Sequence, residues 1–148
     1  MTALRIPFGE LSLSADLLEP PSGAAPVTVV LAHGAGNDMS NPLLVAVQAG
    51  LAKRGFAVLR FNFPYKERGR KLPDAAKVLE GSYRAVLAHG RDTGWVQGKL
   101  VIGGKSMGGR MASHLAGAGE AIDGLVFLGY PLHPAGKPER IRDAHLPA

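Results

Sequence analysis

The segment Gly-Lys-Ser-Met-Gly at positions 104–108 is the part of this sequence best suited to carry out chemistry. It follows the apolar run "KLVIGG" (99–104) and precedes Met107, Met111 and Leu115, whose spacing is typical of one face of a helix. Two kinds of site place glycines and a Lys-Ser pair between a strand and a helix. One binds phosphate, and in the other a serine attacks a carbonyl carbon.

The spacing argues against a phosphate-binding loop. Such a loop needs a glycine seven positions before the serine, because its backbone N–H groups must wrap around the phosphates. Position 99 is a lysine, and residues 99–102 are typical of a strand. The segment "HGAG" (33–36) has only two of the three glycines of a dinucleotide-binding turn. A nucleotide-binding module is therefore a weak third hypothesis.

A turn that presents a nucleophilic serine fits the segment at every position. In this turn the residues two before and two after the serine crowd each other and must be small, and here both are glycine. The serine, Ser106, would take a strained backbone conformation at the start of a helix, where N–H groups favour developing negative charge. The alternative is a glycine-rich turn whose serine does nothing.

A nucleophilic serine also needs an oxyanion hole, a base and an orienting acid. One oxyanion donor would be the N–H of Met107, the residue after the serine. The second would come from the segment "HGAG", through the N–H of Gly34 or Ala35. We expect the imidazole of His33 to pack and to form hydrogen bonds, while the backbone of its loop has the functional role.

The elements around these segments predict an α/β fold. Four apolar runs without alternation, at 27–33, 56–63, 99–104 and 123–130, are typical of buried parallel strands. Amphipathic segments between them predict helices, the first capped by Ser40 or Asn41 and the second by Asp74. We therefore expect a mostly parallel sheet with helices on both faces, preceded by a hairpin, in a single domain over residues 1–148. Sites in such sheets lie at the carboxyl ends of the strands.

Composition restricts the function classes further. The chain has 148 residues, no cysteine and a formal net charge of +5. It has no run of 18 apolar residues and no secretory pattern at its start, so we expect a cytoplasmic protein without a membrane span. We expect no cofactor and no metal site. The positive charge alone does not indicate nucleic-acid binding, and none is expected.

With these segments identified, the chain resembles the α/β-hydrolases, and more narrowly a small family of predicted hydrolases related to dienelactone hydrolase. The resemblance extends over nearly all of the chain from residue 27. It is carried by "LAHGAG" (31–36), "RFNFPY" (60–65), "GGKSMGGRMAS" (103–113) and "GYPLHPAGKPERIRDAHLP" (129–147). The resemblance implies that Ser106 is the nucleophile and that Met107 and the "HGAG" loop supply oxyanion donors. It does not imply a particular substrate.

The expected order of catalytic residues exposes a departure from the family. Such folds place the serine first, then an aspartate or glutamate, then a histidine, the latter two on further strands. The sequence ends at about the point where the strand carrying the acid would begin. We therefore expect a C-terminally truncated fold that lacks its last strands and the acid and base of the triad.

Few residues of this chain could replace the missing base. His114 would lie two turns into the helix after the serine, and Asp123 would lie at the wrong end of its strand. His133 follows the fourth parallel strand and is the only credible substitute, although lining the pocket is the commoner role for such a residue. His145 and Asp143 fall in a tail that we expect to be loose. Lys105, beside the serine, could bind an anion or stiffen the turn.

Two further features lie near the expected site. The run "YKERGRKL" (65–72) could attract an anionic substrate or partner, although a solvated loop is the simpler interpretation. The strand at 123–130 would become a sheet edge without the usual protection, and we expect self-association through it.

The leading hypothesis is a serine hydrolase of small-molecule esters or related acyl compounds. The alternative is a non-catalytic binding or scaffold protein that keeps the fold.

Overall fold

The computed structural model describes residues 1–129. The candidate His133, together with Asp143 and His145, lies outside the described residues. The strands are β1 (Thr2–Phe8), β2 (Leu11–Leu18), β3 (Val27–Ala32), β4 (Ala57–Phe61), β5 (Lys99–Lys105) and β6 (Gly124–Leu128). The helices are α1 (Pro42–Lys53), α2 (Pro64–Glu67), α3 (Ala76–Thr93) and α4 (Met107–Gly117).

The strands of the described part form one sheet in the order β1-β2-β4-β3-β5-β6. The pairs β1–β2 and β2–β4 are antiparallel, whereas β4–β3, β3–β5 and β5–β6 are parallel. The expected hairpin is present, with Gly9 at φ 58° in its turn. The predicted mostly parallel sheet is confirmed, and the carboxyl ends of β3, β4 and β5 lie at the same edge of it.

Helices cover both faces of this sheet, as predicted. Helix α1 packs Leu44 against Val29, Leu31 and Val58 on one face. Helices α3 and α4 pack on the other face, where a larger core is formed. Its buried residues include Phe61, Phe63, Leu79, Tyr83, Val86, Leu87, Ile102, Met111 and Leu115.

The cap predicted for the start of α1 is present. The side chain of Asn41 accepts a hydrogen bond from the Leu43 N–H at 3.0 Å, which satisfies one of the free N–H groups at the helix start. Pro42 occupies the first turn, where its missing N–H costs nothing. Gly55, at φ 97°, follows the end of the helix.

The predicted cap of the second long helix is wrong. Helix α3 begins after Ala75, and no side chain caps it. Asp74 instead accepts a hydrogen bond from the Tyr65 N–H at 2.8 Å and lies 3.7 Å from Arg68. Asp74 therefore stabilises the short helix α2 and its end rather than α3. The sequence analysis did not predict α2.

Strand β6 is the outermost strand of the described sheet on the β5 side. Val126 and Leu128 pack toward the α1 face. Leu125 and Phe127 are each 38% exposed, which is high for large apolar side chains.

Candidate active site

Ser106 lies at the junction between β5 and α4 in an uncommon backbone conformation. Its φ and ψ angles are 52° and −111°, and no other non-glycine residue among 1–129 has a positive φ. Such conformations cost of order 1–3 kcal/mol and persist only where the surrounding structure imposes them. The Ser106 N–H donates to the carbonyl oxygen of Gly129 at 2.8 Å, which joins this turn to the end of β6.

The surrounding glycines show what imposes this turn. A β-carbon on Gly104 would lie 2.2 Å from the Ala32 carbonyl oxygen, and one on Gly108 would lie 2.3 Å from the same atom. Both distances are far inside van der Waals contact, so the backbone on each side of the serine packs directly on the end of β3. A β-carbon on Gly109 would lie 2.9 Å from the Gly104 carbonyl oxygen. The sequence predicted small residues at positions 104 and 108, and the surrounding backbone leaves no room for a side chain at either of them.

The "HGAG" loop lies beside the serine. A β-carbon on Gly34 would lie 3.6 Å from the Ser106 Cβ and 3.3 Å from the Lys105 carbonyl oxygen. Gly34 is buried, whereas Ala35 is exposed. The carboxyl ends of β3 and β5 thus bring together the two segments in which the sequence placed the oxyanion donors.

The backbone N–H groups of Met107 and Ala35 lie near the serine and have no acceptor within the described part of the chain. Met107 is the first residue of α4, so its N–H has no partner inside the helix. The Ala35 N–H likewise meets no acceptor among residues 1–129. Free N–H groups at a helix start and in an adjacent loop are suited to bind an anionic oxygen.

His33 is fully buried, and both of its ring nitrogens have partners. Nε2 lies 3.0 Å from the Phe63 N–H and accepts from it, so the network assigns the ring proton to Nδ1, which lies 2.9 Å from the Gly34 carbonyl oxygen. Burial lowers the pKa of His33 to about 4, which the hydrogen bond to Gly34 offsets only in part. The imidazole is therefore neutral near pH 7 and connects β3, the loop after β4 and the "HGAG" loop.

The other histidines among residues 1–129 also have partners away from the serine. Nδ1 of His89 accepts from the Trp95 indole N–H at 2.9 Å. His114 pairs with Glu80 across α3 and α4, at 3.4 Å. Neither of them forms a hydrogen bond with Ser106 in the described structure.

Of the other residues considered in the sequence analysis, Asp123 lies away from the serine, whereas Lys105 lies next to it. Asp123 accepts a hydrogen bond from the Leu100 N–H at 2.8 Å, at the amino end of β5, and so lies at the opposite edge of the sheet from the serine. Lys105 is half-buried at the carboxyl end of β5, directly before Ser106. Within the basic run, Arg68 lies near Asp74. The Lys66 Nζ lies 5.9 Å from the centre of the Tyr65 ring.

Tyr65 belongs to this site, although the sequence analysis did not assign it a role. Its side chain is fully buried, and its hydroxyl donates to the Gly34 carbonyl oxygen at 3.4 Å. Its ring meets that of His33 edge to face, with centroids 5.8 Å apart. The available signal was its position, because it lies in the short segment after β4, the strand that ends beside β3.

The described residues contain neither a cluster of metal-binding side chains nor a membrane-spanning helix. Among residues 1–129, no three His, Asp or Glu side chains come close enough together to bind a metal ion. None of the helices described here is both long enough and apolar enough to cross a lipid bilayer.

The mostly parallel sheet with helices on both faces is the fold of the α/β-hydrolases, and a comparison with protein families agrees. Residues 25–148 match the alpha/beta hydrolase domain, and the chain belongs to this family.

Solved structures give the same result for the fold. An α/β serine hydrolase homologue from Coxiella burnetii is 20% identical, with a TM-score of 0.73 over 85% of this chain. A lidless α/β serine hydrolase from Xanthomonas campestris is 24% identical, with a TM-score of 0.73 over 94% of this chain. Dienelactone hydrolase from Anabaena variabilis is 26% identical, with a TM-score of 0.71 over 87%. The chain spans 61%, 64% and 62% of the lengths of these three proteins.

Proposed function

We propose that this protein is a serine hydrolase that cleaves esters or related acyl bonds of small molecules, with Ser106 as the nucleophile. The observation that carries the proposal is the conformation of Ser106. A non-glycine residue at φ 52°, between a buried strand and a helix, is strained and keeps this conformation only where the packing imposes it. The glycines beside it and the carbonyl of Ala32 supply that packing. Strain of this kind is expected where a hydroxyl must be exposed for attack.

In the proposed reaction the Ser106 Oγ attacks the acyl carbon, and the carbonyl oxygen becomes an oxyanion. The N–H groups of Met107 and Ala35 would bind this oxyanion. The C–O bond to the leaving alcohol then breaks as the carbonyl re-forms, and the alcohol leaves with the proton that the Ser106 hydroxyl lost. Water hydrolyses the acyl-serine ester in the second half of the reaction and restores the hydroxyl.

The base is the part of the proposal that residues 1–129 do not supply. All three histidines among these residues have other partners, and His33 is buried and neutral. The base must therefore come from elsewhere, and His133 remains the candidate within this chain. Half-buried Lys105 could hold an anionic part of the substrate next to the serine.

A non-catalytic binding protein is the second candidate function. It is favoured by one observation, namely that no described histidine forms a hydrogen bond with Ser106. In that case the two N–H groups would bind an anionic or carbonyl oxygen without any reaction.

A covalent probe separates these two functions. A fluorophosphonate reacts when the serine oxygen attacks phosphorus and fluoride leaves, and the adduct remains attached. We expect intact-mass and peptide analysis after prolonged incubation to find one adduct, on Ser106. Ser106→Ala should abolish it, whereas Ser22→Ala, in an exposed turn, should not. Equal modification of several serines, or none, would contradict the hydrolase function.

A further inference from the structure

Three donors meet at the carbonyl oxygen of Gly34. They are Nδ1 of His33 at 2.9 Å, the N–H of Asn37 at 3.2 Å and the hydroxyl of Tyr65 at 3.4 Å. Because the peptide unit is planar and trans, its C=O and N–H point in opposite directions. Holding the Gly34 carbonyl toward the buried side therefore directs the Ala35 N–H toward the exposed side of the loop.

Tyr65 differs from the other two donors because it also contacts the next peptide. Its hydroxyl also interacts with the backbone of Gly36, and this interaction offsets part of the rise that burial causes in the pKa of Tyr65. The carbonyl of Gly34 and the N–H of Gly36 belong to the two peptide units that flank Ala35. One hydroxyl therefore restrains both backbone dihedral angles of Ala35.

Tyr65 is itself held rigidly. Its N–H donates to the Asp74 carboxylate at 2.8 Å, and its ring is fully buried against His33. The hydroxyl is thus a fixed point, attached to β4 through α2, rather than a flexible surface group.

We propose that Tyr65 is a positioning residue for the Ala35 N–H, which we take to be an oxyanion donor. Its hydroxyl orients this N–H by its hydrogen bond to the Gly34 carbonyl on the buried side of the loop. This inference rests on the proposed function. It assigns the "RFNFPY" segment a part in transition-state stabilisation, whereas the sequence analysis used this segment only as one of those that carry the resemblance to the α/β-hydrolases. Misplacing a donor by about 1 Å costs on the order of a hundredfold in rate, so the hydroxyl should matter even though it touches no reacting atom.

Tyr65→Phe removes the hydroxyl and keeps the ring. We expect the rate of Ser106 modification by a fluorophosphonate to fall about 10- to 100-fold, since the developing P–O⁻ charge needs both donors. Amide hydrogen exchange at Gly36, followed by NMR, should become faster in the folded protein.

Tyr83→Phe is the matched control. Its side chain is equally buried, but its hydroxyl forms hydrogen bonds with the carbonyls of Val30 in β3 and Gly103 in β5 and not with the "HGAG" loop. This variant should lose stability but label Ser106 at nearly the normal rate.

The outcomes distinguish the two proposals. Absence of a Ser106 adduct in the unsubstituted chain would overturn the proposed function and, with it, any catalytic purpose for Tyr65. A normal adduct together with normal labelling of Tyr65→Phe would overturn only the positioning role. Equal slowing in Tyr65→Phe and Tyr83→Phe would also overturn it, because the loss would then reflect any missing buried hydroxyl.

Discussion

Gly108 packs directly on Ala32, so closely that a β-carbon at position 108 would lie 2.3 Å from the Ala32 carbonyl oxygen and 2.7 Å from that of His33. Both obstructing atoms belong to the backbone and cannot rotate away. The first turn of α4 is therefore fixed against the end of β3.

We expect Gly108→Ala to lower the free energy of unfolding by about 3 kcal/mol, because overpacking forces the backbone to shift. Urea unfolding would measure the change. Gly50→Ala is the control, since a β-carbon there would be 3.6 Å from the flexible Arg54 side chain. Within α1 it should stabilise by about 1 kcal/mol through helix propensity. A Gly108→Ala protein as stable as the parent would contradict the described packing.

Burial of His33 predicts a loss of stability in mild acid. Its folded pKa is about 4 and its ordinary value is 6.5, so the unfolded chain takes up the proton first as the pH falls. Stability therefore falls between these values, by about 2 kcal/mol from pH 7 to pH 5. His33→Asn should be less stable at pH 7 and should lack this part of the pH dependence, whereas His89→Asn should retain it. Urea midpoints at both pH values test this, and identical pH dependence in His33→Asn would contradict it.

Turnover of an activated ester by the 148-residue chain should be weak. Among residues 1–129 the proposed oxyanion donors lie near Ser106 but no base does, and triad enzymes without a working triad keep a residual acceleration of roughly a thousandfold over water. Ser106→Ala should consequently change the steady-state rate little, as measured with a p-nitrophenyl ester. Brisk hydrolysis that depends on Ser106 would instead indicate a base outside residues 1–129, and His133→Ala would then be the variant to measure.

Self-association through β6 is the expectation for the protein's quaternary state. Leu125 is 38% exposed on the outermost strand of the described sheet. Apolar strands at a sheet edge template pairing with another chain. We expect sedimentation at micromolar concentration to show a dimer or larger species, and Leu125→Lys to shift it toward monomer. A monomer at all concentrations would refute this expectation.

Periodicity and local signals predicted the fold well because the buried strands are short, apolar and separated by clear helix signals. The two ends of α1 coincide with Asn41, Pro42 and Gly55. Each of these residues acts on backbone within a few positions of itself, so its effect can be read from the local sequence. Asp74 misled the prediction for the opposite reason. Its carboxylate bonds the N–H of Tyr65, an earlier residue in another helix, and so it does not cap the helix that follows it.

The sequence predicted the candidate site only where the residues involved lie close together in the chain. The turn around Ser106 has a spacing that sequence displays directly. The role proposed for Tyr65 depends on its interactions with Gly34 and Gly36, which are distant in the chain and lie near it because β3 and β4 are neighbours. No local pattern encodes such a contact.

The pairing of β3 with β5 also has a kinetic consequence. Val27 pairs with Lys99 and Ala32 with Gly104, so the strands that carry the loop and the serine are distant in sequence. In the described sheet only the β1–β2 hairpin pairs strands that are adjacent along the chain and joined by a tight turn. Contacts between distant segments form slowly, because the entropy of closing the intervening loop must be lost first. We therefore expect the serine turn to be among the last parts of this chain to take shape as it folds, only after β5 has docked on β3.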